Sequence, residues 1–140
     1  TAIKTGMRRA ELANLLVRHL NFELSSLIVV GGKGSRDRVI PVIEKLNLDL
    51  SALCSGKHMD ERVFGLTPQS LGLKIKDWSH KANVPIHTHS LRHFFATQLL
   101  QKGVNIRVIQ ELLGHSNLNT TQIYLSVTSG QIKEAVTLLE

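Results

Sequence analysis

The chain has 140 residues, 42% of them hydrophobic, so it is long enough to bury a core and is not disordered by composition. Lysine and arginine outnumber aspartate and glutamate by 17 to 11, and the net charge of +6 favours a polyanionic partner such as nucleic acid. The single cysteine, Cys54, excludes an internal disulfide, and no apolar run reaches the roughly 20 residues that a membrane-spanning helix requires.

The first half of the chain is predicted to contain a helix, a hairpin and a second helix. Leucines at steps of three and four predict a helix over residues 6–22. Two β-branched runs on either side of "GGKGSRD" predict a β-hairpin, with Lys33 in the connection and Pro41 near the end of the second strand. A helix over residues 43–53 and a polar loop over residues 54–62 are expected to follow.

The next helix has a clear start signal. Thr67 is a suitable N-cap, and Pro68 suits the first helical position because its missing N–H would be unpaired there anyway. Leu71, Ile75 and Trp78 then fall on one face, which predicts that this face packs on the core.

The last third of the chain is predicted to be helical almost throughout. One helix begins at residue 88, ends at Gly103 and carries an apolar stripe of Leu91, Phe94, Phe95 and Leu99. The following helix has Asn105 as its cap and Gly114 as its stop. A short helix is expected around residues 120–127, and a final one over 129–140, with a stripe of Ile132, Ala135, Val136 and Leu139. The predicted fold is mainly α with a small antiparallel β-sheet (α+β), in a single domain spanning residues 1–140.

The start of the helix after residue 87 carries polar residues suited to a phosphate. His89, Arg92 and His93 are spaced i, i+3 and i+4, so they share one face. The unpaired N–H groups of a first helical turn attract anions, and the arginine fork matches two phosphate oxygens. Taken singly, each of these residues has an alternative interpretation as an ion-paired arginine or a packed histidine.

Two further hypotheses compete for the same region. The histidines His87, His89, His93 and His115 could converge on zinc in a hydrolase, but no acidic or cysteine ligand lies nearby and the intervening arginine would repel a cation. The two helices around residues 103–127 could instead form a helix-turn-helix that binds DNA without covalent chemistry.

Five short motifs occur in order along the chain: "TGMRRAEL", "GKGSRDRVIPV", "HSLRH", "LGH" and "Y". In this order and at these separations they resemble the tyrosine recombinase, or phage integrase, family, over nearly the whole chain. The resemblance implies the tyrosine recombinase catalytic-domain fold. It also implies a catalytic set formed by Arg8, Lys33, His89, Arg92, His115 and Tyr124, with Arg8 rather than Arg9 as the first arginine.

The resemblance implies the role of each residue in cutting and rejoining DNA without a metal ion or other cofactor. Tyr124 would attack the scissile phosphate and form a 3′-phosphotyrosyl bond, which stores the bond energy for religation. Arg8 and Arg92 would clamp the non-bridging oxygens, and Lys33 would protonate the leaving 5′-oxygen.

The remaining members of the set are supporting residues or contacts. His89 and His115 would bind the phosphate or move the tyrosine proton, and Glu11 would orient the cluster. His93 is expected either to pack against neighbouring side chains or to support the catalytic residues without contacting the phosphate. Contacts to DNA are expected from Arg36, Arg38, Lys74 and Lys76, although Arg36 and Arg38 could instead be simple solvated charges.

The resemblance also sets expectations for the partners and the location. The partner would be double-stranded DNA, bound by a homo-oligomer that is a tetramer in the full-length protein. The protein would be cytoplasmic, associated with the nucleoid when bound to DNA, and not in a membrane. The N-terminal DNA-binding domain usual in the family is expected to be absent from this chain. The last helix either folds onto its own domain or docks into a neighbouring protomer.

Overall fold

The computed structural model describes residues 1–31, 36–114 and 129–139. The helices, in chain order, are α1 (Ala2–Thr5), α2 (Arg9–Ala13), α3 (Glu44–Cys54), α4 (Pro68–Lys81), α5 (Thr88–Gln101), α6 (Ile106–Leu113) and α7 (Ser129–Thr137). A 3₁₀ turn covers Val17–His19, and the strands are β1 (Leu20–Asn21), β2 (Ser26–Val29) and β3 (Arg38–Pro41). The prediction of a mainly helical fold with a small antiparallel sheet is confirmed.

The sheet is antiparallel throughout and has the strand order β1-β2-β3. Leu27 pairs with Ile40 and Val29 pairs with Arg38, and all four side chains are buried on the inner face. The hairpin predicted around Lys33 is therefore confirmed, and Pro41 is the last residue of its second strand, as expected.

The helix predicted over residues 6–22 is wrong, because only Arg9–Ala13 is α-helical there and Val17–His19 forms no more than a 3₁₀ turn. After Asn14 the chain is held instead by the segment 59–63, with Val63 N donating to Leu15 O at 2.8 Å and Val17 N donating to Glu61 O at 3.0 Å. Leu15 and Val17 are both buried, so this stretch follows the period of two of an extended chain. Tertiary pairing overrides the helical spacing of the leucines.

The predicted helix starts in the middle of the chain are confirmed to within a residue. Helix α3 begins at Glu44, after Ile43 as its cap. Thr67 caps α4, and its Oγ1 accepts a hydrogen bond from Ser70 N at 3.1 Å. The apolar face of α4 is narrower than predicted, because Trp78 is 56% exposed.

Helices α5 and α6 also begin and end close to the predicted residues. Asn105 Oδ1 accepts from Arg107 N at 2.8 Å at the start of α6, and Gly114 ends it with φ +66. In α5, Phe95 and Leu99 are fully buried, but Phe94 is 50% exposed and does not belong to the core.

Helix α7 packs on its own chain, against α6 and β3. Ala135, Val136 and Leu139 are buried, as the predicted stripe requires. The carbonyls at the end of the helix accept hydrogen bonds from two lysines, Lys4 to Leu139 O and Lys102 to Leu138 O. Within the single chain the helix thus folds back onto its own domain, and docking into a neighbouring protomer stays a prediction.

The helix predicted around residues 120–127 lies outside the described residues. Within the described ranges, no helix is both long enough and apolar enough to cross a membrane.

Candidate active site

Helix α2 brings Arg8 and Glu11 together at its first turn. Arg8 is the N-cap, with an extended backbone, and its N–H donates to Glu11 Oε2 at 2.7 Å. The Arg8 side chain also reaches this carboxylate, with Nη1 3.0 Å from Glu11 Oε1. The helix start therefore fixes the first arginine of the predicted set beside the glutamate predicted to support it.

Arg38 joins the same carboxylate from strand β3. Its Nη1 donates to Glu11 Oε1 at 3.0 Å and its Nη2 to Glu11 Oε2 at 2.9 Å, which is a two-pronged ion pair. Its Nε donates to Leu112 O, at the end of α6, at 2.8 Å. The side chain is only 5% exposed. The expectation that Arg38 lies on the surface and contacts DNA is therefore wrong, because the inward face of β3 buries it.

Arg92 lies on the first turns of α5 and donates to two backbone carbonyls from different parts of the chain. Nη1 donates to Gly6 O, after α1, and Nη2 donates to Leu113 O, in the last turn of α6, both at 2.7 Å. Gly6 has φ +63, and a Cβ added there would lie 2.6 Å from Phe95 Cδ1. A glycine is needed at this position for the chain to pass close to α5.

The glutamate at the centre of the cluster is charged at any ordinary pH. Burial alone would raise the pKa of Glu11, but the hydrogen bonds from the Arg38 side chain and the Arg8 backbone, with the charge of Arg38, lower it to about 2. The Glu11 side chain is only 8% exposed, so these arginines, rather than water, stabilise its negative charge.

Positive charge is in excess in the cluster, because Arg8 and Arg38 pair with one carboxylate and Arg92 lies close enough to feel the charges of all three groups. Burial and the charges of Arg8 and Arg38 together lower the pKa of Arg92 to about 10, against the opposing effect of Glu11. Arg92 remains charged at neutral pH, at a desolvation cost that an anion beside it would relieve. The arrangement is therefore suited to an anionic ligand.

Exposure decides which arginines such a ligand can reach. The Arg8 side chain is 41% exposed and Arg92 is half-buried, whereas Arg38 is almost completely covered. Arg8 and Arg92 can therefore contact a ligand, and Arg38 acts only through the groups that it holds.

The other predicted residues of the described chain lie at the surface. His89 is exposed on the first turn of α5, one turn before Arg92 and on the same face. His87, the N-cap of α5, and His93 are exposed as well. The predicted DNA contacts Arg36, Lys74 and Lys76 are also exposed, the two lysines on α4.

Lys33, His115 and Tyr124 lie outside the described residues. The structure describes the residues that precede two of them. Gly31 N donates to Asp37 Oδ1 at 2.7 Å, which joins the two ends of the connection that contains Lys33. Gly114, directly before His115, packs on Arg38, and a Cβ there would lie 2.9 Å from both Cδ and Nη1 of that arginine.

Across the described ranges, no three histidine, cysteine or acidic side chains are placed to share a metal ion. His87, His89 and His93 of the zinc hypothesis fall within those ranges, whereas His115 does not.

The structural role of Arg38 was missed in the sequence, although a signal for it exists. Arg38 and Ile40 are two residues apart on β3, so the strand period of two places both side chains on the inner face. Arg38 also pairs with Val29, which is buried on β2. A buried arginine then requires a carboxylate, and Glu11 is the acidic residue of the first motif.

Comparison with known proteins was made for sequence and for fold. The model of the phage integrase family matches residues 1–130. Among curated relatives, tyrosine recombinase XerA of Pyrococcus horikoshii is 43% identical and covers 94% of this chain and 50% of the relative. A tyrosine recombinase of Pseudothermotoga lettingae is 40% identical and covers 96% and 50%. The chain spans about half the length of the curated relatives it matches.

Solved structures give the same result for the fold. The integrase from mycobacterium phage Brujita superposes with a TM-score of 0.80 at 28% identity, covering 99% of this chain and 49% of that chain. XerA recombinase superposes with a TM-score of 0.73 at 30% identity, covering 97% and 54%.

Proposed function

The chain belongs to the phage integrase family, and we propose that it is the catalytic domain of a tyrosine-type site-specific DNA recombinase. The observation that carries the proposal is the arginine cluster. Arg8 and Arg92, the two arginines that the family motifs pick out, lie close enough for their charges to interact, in a cluster with an excess of positive charge, and both remain accessible to a ligand. A phosphodiester of DNA is an anion of the required kind.

The proposed reaction transfers a phosphoryl group twice. The Tyr124 hydroxyl oxygen attacks the scissile phosphorus, the P–O5′ bond breaks, and a 3′-phosphotyrosyl bond forms. The leaving 5′-oxygen takes a proton from Lys33, and the tyrosine proton passes to His89, His115 or water. In religation, a 5′-hydroxyl attacks the phosphotyrosyl phosphorus and releases the tyrosine, so the number of phosphodiester bonds is conserved.

The arginines supply the electrostatic part of the catalysis. Negative charge grows on the non-bridging oxygens in the transition state, and fixed guanidinium groups stabilise it without having to reorganise. The carbonyls that hold Arg92 and the carboxylate that holds Arg8 keep both groups in place before the DNA arrives. Losing one such donor typically costs about 10²–10³ in rate.

Double-stranded DNA is the proposed substrate, bound mainly through its phosphates, with Arg36, Lys74 and Lys76 as further phosphate contacts. We also propose that the full-length protein works as a tetramer on DNA and that a further DNA-binding domain increases its affinity. It would act in the cytoplasm, associated with the nucleoid when bound to DNA. Binding by this chain alone should then weaken steeply as the salt concentration rises.

The test is a covalent trapping experiment with a nicked suicide duplex that carries the recombination site. The wild-type protein should form a protein–DNA adduct that survives a denaturing gel, and Tyr124→Phe should bind the duplex equally well without forming it. A helix-turn-helix module predicts no adduct from either protein. An adduct from Tyr124→Phe would refute the assignment of the nucleophile.

The same gel tests which arginine of the first motif acts. Arg8 contacts Glu11, whereas Arg9 extends over α4, where a Cβ on Gly72 would lie 2.9 Å from Arg9 Nη1. Arg8→Lys should therefore reduce the adduct strongly and Arg9→Lys should leave it nearly unchanged.

Metal analysis of the purified protein tests the alternative hypothesis of a zinc hydrolase, which predicts bound zinc.

A further inference from the structure

Strand β3 contributes a buried arginine to the cluster, and its contacts go to other parts of the site. We propose that Arg38 is a positioning residue of the active site, which holds Glu11 and the end of α6 in one fixed arrangement around Arg8 and Arg92. The inference rests on the proposed function for its effect on catalysis. Its geometric part stands on the structure of the cluster alone.

The first part of the arrangement is the orientation of the Glu11 carboxylate. Each of its oxygens accepts two hydrogen bonds: Oε1 from the Nη1 atoms of Arg8 and Arg38, and Oε2 from the Arg8 backbone N and Arg38 Nη2. The two-pronged contact from Arg38 fixes the plane of the carboxylate, because both oxygens face one planar guanidinium. Arg8 then finds this carboxylate in a fixed direction.

The second part is the end of α6. Arg38 Nε donates to Leu112 O, and Arg92 Nη2 donates to the next carbonyl, Leu113 O. Two arginines from different elements are thus held to consecutive carbonyls of one helix turn. Their relative positions are fixed by the rigid geometry of that turn.

Gly114 continues this arrangement toward the next motif residue. The helix ends there with φ +66, and the backbone passes so close to Arg38 that a Cβ would come within 2.9 Å of it. Arg38 therefore packs against the turn from which the chain enters His115.

The role requires an arginine and cannot be filled by a positive charge alone. The three nitrogens of one planar group donate in two directions, two to Glu11 and one to Leu112 O. A lysine ammonium on a flexible chain cannot reproduce this fork. Because the side chain is covered, DNA does not reach it, and replacing it should change the rate of the chemical step rather than the affinity.

The experiment compares Arg38→Lys and Arg38→Met with Leu50→Ala. Leu50 is buried on α3 and makes none of the contacts of the cluster, so its truncation destabilises the fold without touching the site. Gly114→Ala is an additional variant, because its Cβ would push on Arg38 while every group of the cluster remains. Thermal unfolding curves of all the proteins identify a temperature at which every variant is folded, and the readouts are compared at that temperature.

The first readout needs no DNA. The hydrogen bonds of the Arg8 and Arg92 guanidinium groups should slow the rotation of both groups. Each should then give resolved side-chain N–H signals in ¹⁵N NMR of the wild-type protein. The Arg8 signals should be lost in both Arg38 variants and in Gly114→Ala, and kept in Leu50→Ala. Signals that persist in the Arg38 variants would overturn the inference, whether or not the protein cuts DNA.

The second readout is single-turnover formation of the adduct over a range of DNA concentrations. In both Arg38 variants the rate at saturating DNA should fall about tenfold to a hundredfold, because a misplacement of about 1 Å can cost up to about a hundredfold. The half-saturating concentration should stay unchanged, and Leu50→Ala should react like the wild type. A raised half-saturating concentration with an unchanged rate would make Arg38 a binding residue and overturn the inference. A wild-type protein that forms no adduct would refute the proposed function, and the NMR readout would still decide the positioning role.

Discussion

Two arginine–carboxylate pairs of this chain have similar distances and opposite surroundings. Arg18 and Asp60 approach to 2.6 Å, with side chains 54% and 61% exposed. Arg38 and Glu11 approach to 2.9 Å, with side chains 5% and 8% exposed. The shorter contact is expected to contribute less to the stability of the fold. Exposed pairs contribute about 0.2–1 kcal/mol, whereas removing one partner of a buried pair typically costs about 3–5 kcal/mol.

The comparison separates stability from function as well. The exposed pair links the 3₁₀ turn to the loop after α3, and each residue can exchange its partner for water. The buried pair has no such alternative. It therefore holds a fixed geometry beside Arg8, which remains accessible to a ligand.

The largest expected effect is that of Glu11→Gln. The variant leaves Arg38 charged and buried without a carboxylate, so the free energy of unfolding should fall by about 3–5 kcal/mol. Chemical denaturation at neutral pH measures this value. A loss below about 1 kcal/mol would show that the buried pair behaves like a surface pair.

The second prediction concerns pH. The pKa of Glu11 is about 2 in the folded protein, against a usual value of 4.5. A lowered pKa stabilises the fold above the unfolded value, here by about 3 kcal/mol at 1.36 kcal/mol per unit, and this contribution is lost as the pH falls from about 4.5 to 2. The stability difference between the wild type and Glu11→Gln should therefore shrink over that range. A difference that stays constant down to pH 2 would contradict the lowered pKa.

The third prediction concerns Arg92→Lys, which keeps the charge of the site. Lysine cannot span Gly6 O and Leu113 O, so the clamp should lose its orientation. Formation of the DNA adduct should fall at least about tenfold, with DNA binding changed far less. Filter binding and the denaturing gel, run on the same preparations, separate the two quantities. Equal losses of binding and cleavage would indicate an arginine that only attracts DNA.

The smallest effect is expected at the exposed pair. Asp60→Asn should lower the free energy of unfolding by less than about 1 kcal/mol, and the difference should vanish near 1 M salt, where the Debye length is about 3 Å. Denaturation at low and high salt tests this. A larger loss that resists salt would mean that distance, rather than burial, sets the strength of these pairs.

The local signals in the sequence predicted the elements whose ends are set by their own residues. The hairpin, the Thr67–Pro68 start of α4 and the Asn105 and Gly114 ends of α6 follow from caps and turns within a few residues. The helix over 6–22 failed because its competitor, the segment 59–63, lies far away in the sequence. Local spacing contains no information about such pairing.

The candidate site divides in the same way. The motifs located Arg8, Glu11 and Arg92; in the structure the first two form an ion pair, and Arg92 lies close enough to feel both charges. The role of Arg38 depends on the face of β3 on which it lies, and on a carboxylate 27 positions away. The exposure of Trp78 and Phe94 was equally unpredictable, because a helical stripe gives the direction of a side chain and not the extent of the neighbour that covers it.

The acceptors in the cluster give the site an uneven tolerance to mutation. Gly6 O, Leu112 O and Leu113 O belong to the backbone, so exchanging the side chains of the two leucines leaves the hydrogen bonds from Arg38 and Arg92 available. Glu11 is the acceptor of this network that a single codon change can delete. In a random library selected for recombination, the end of α6 should accept many apolar residues, while position 11 should accept almost none.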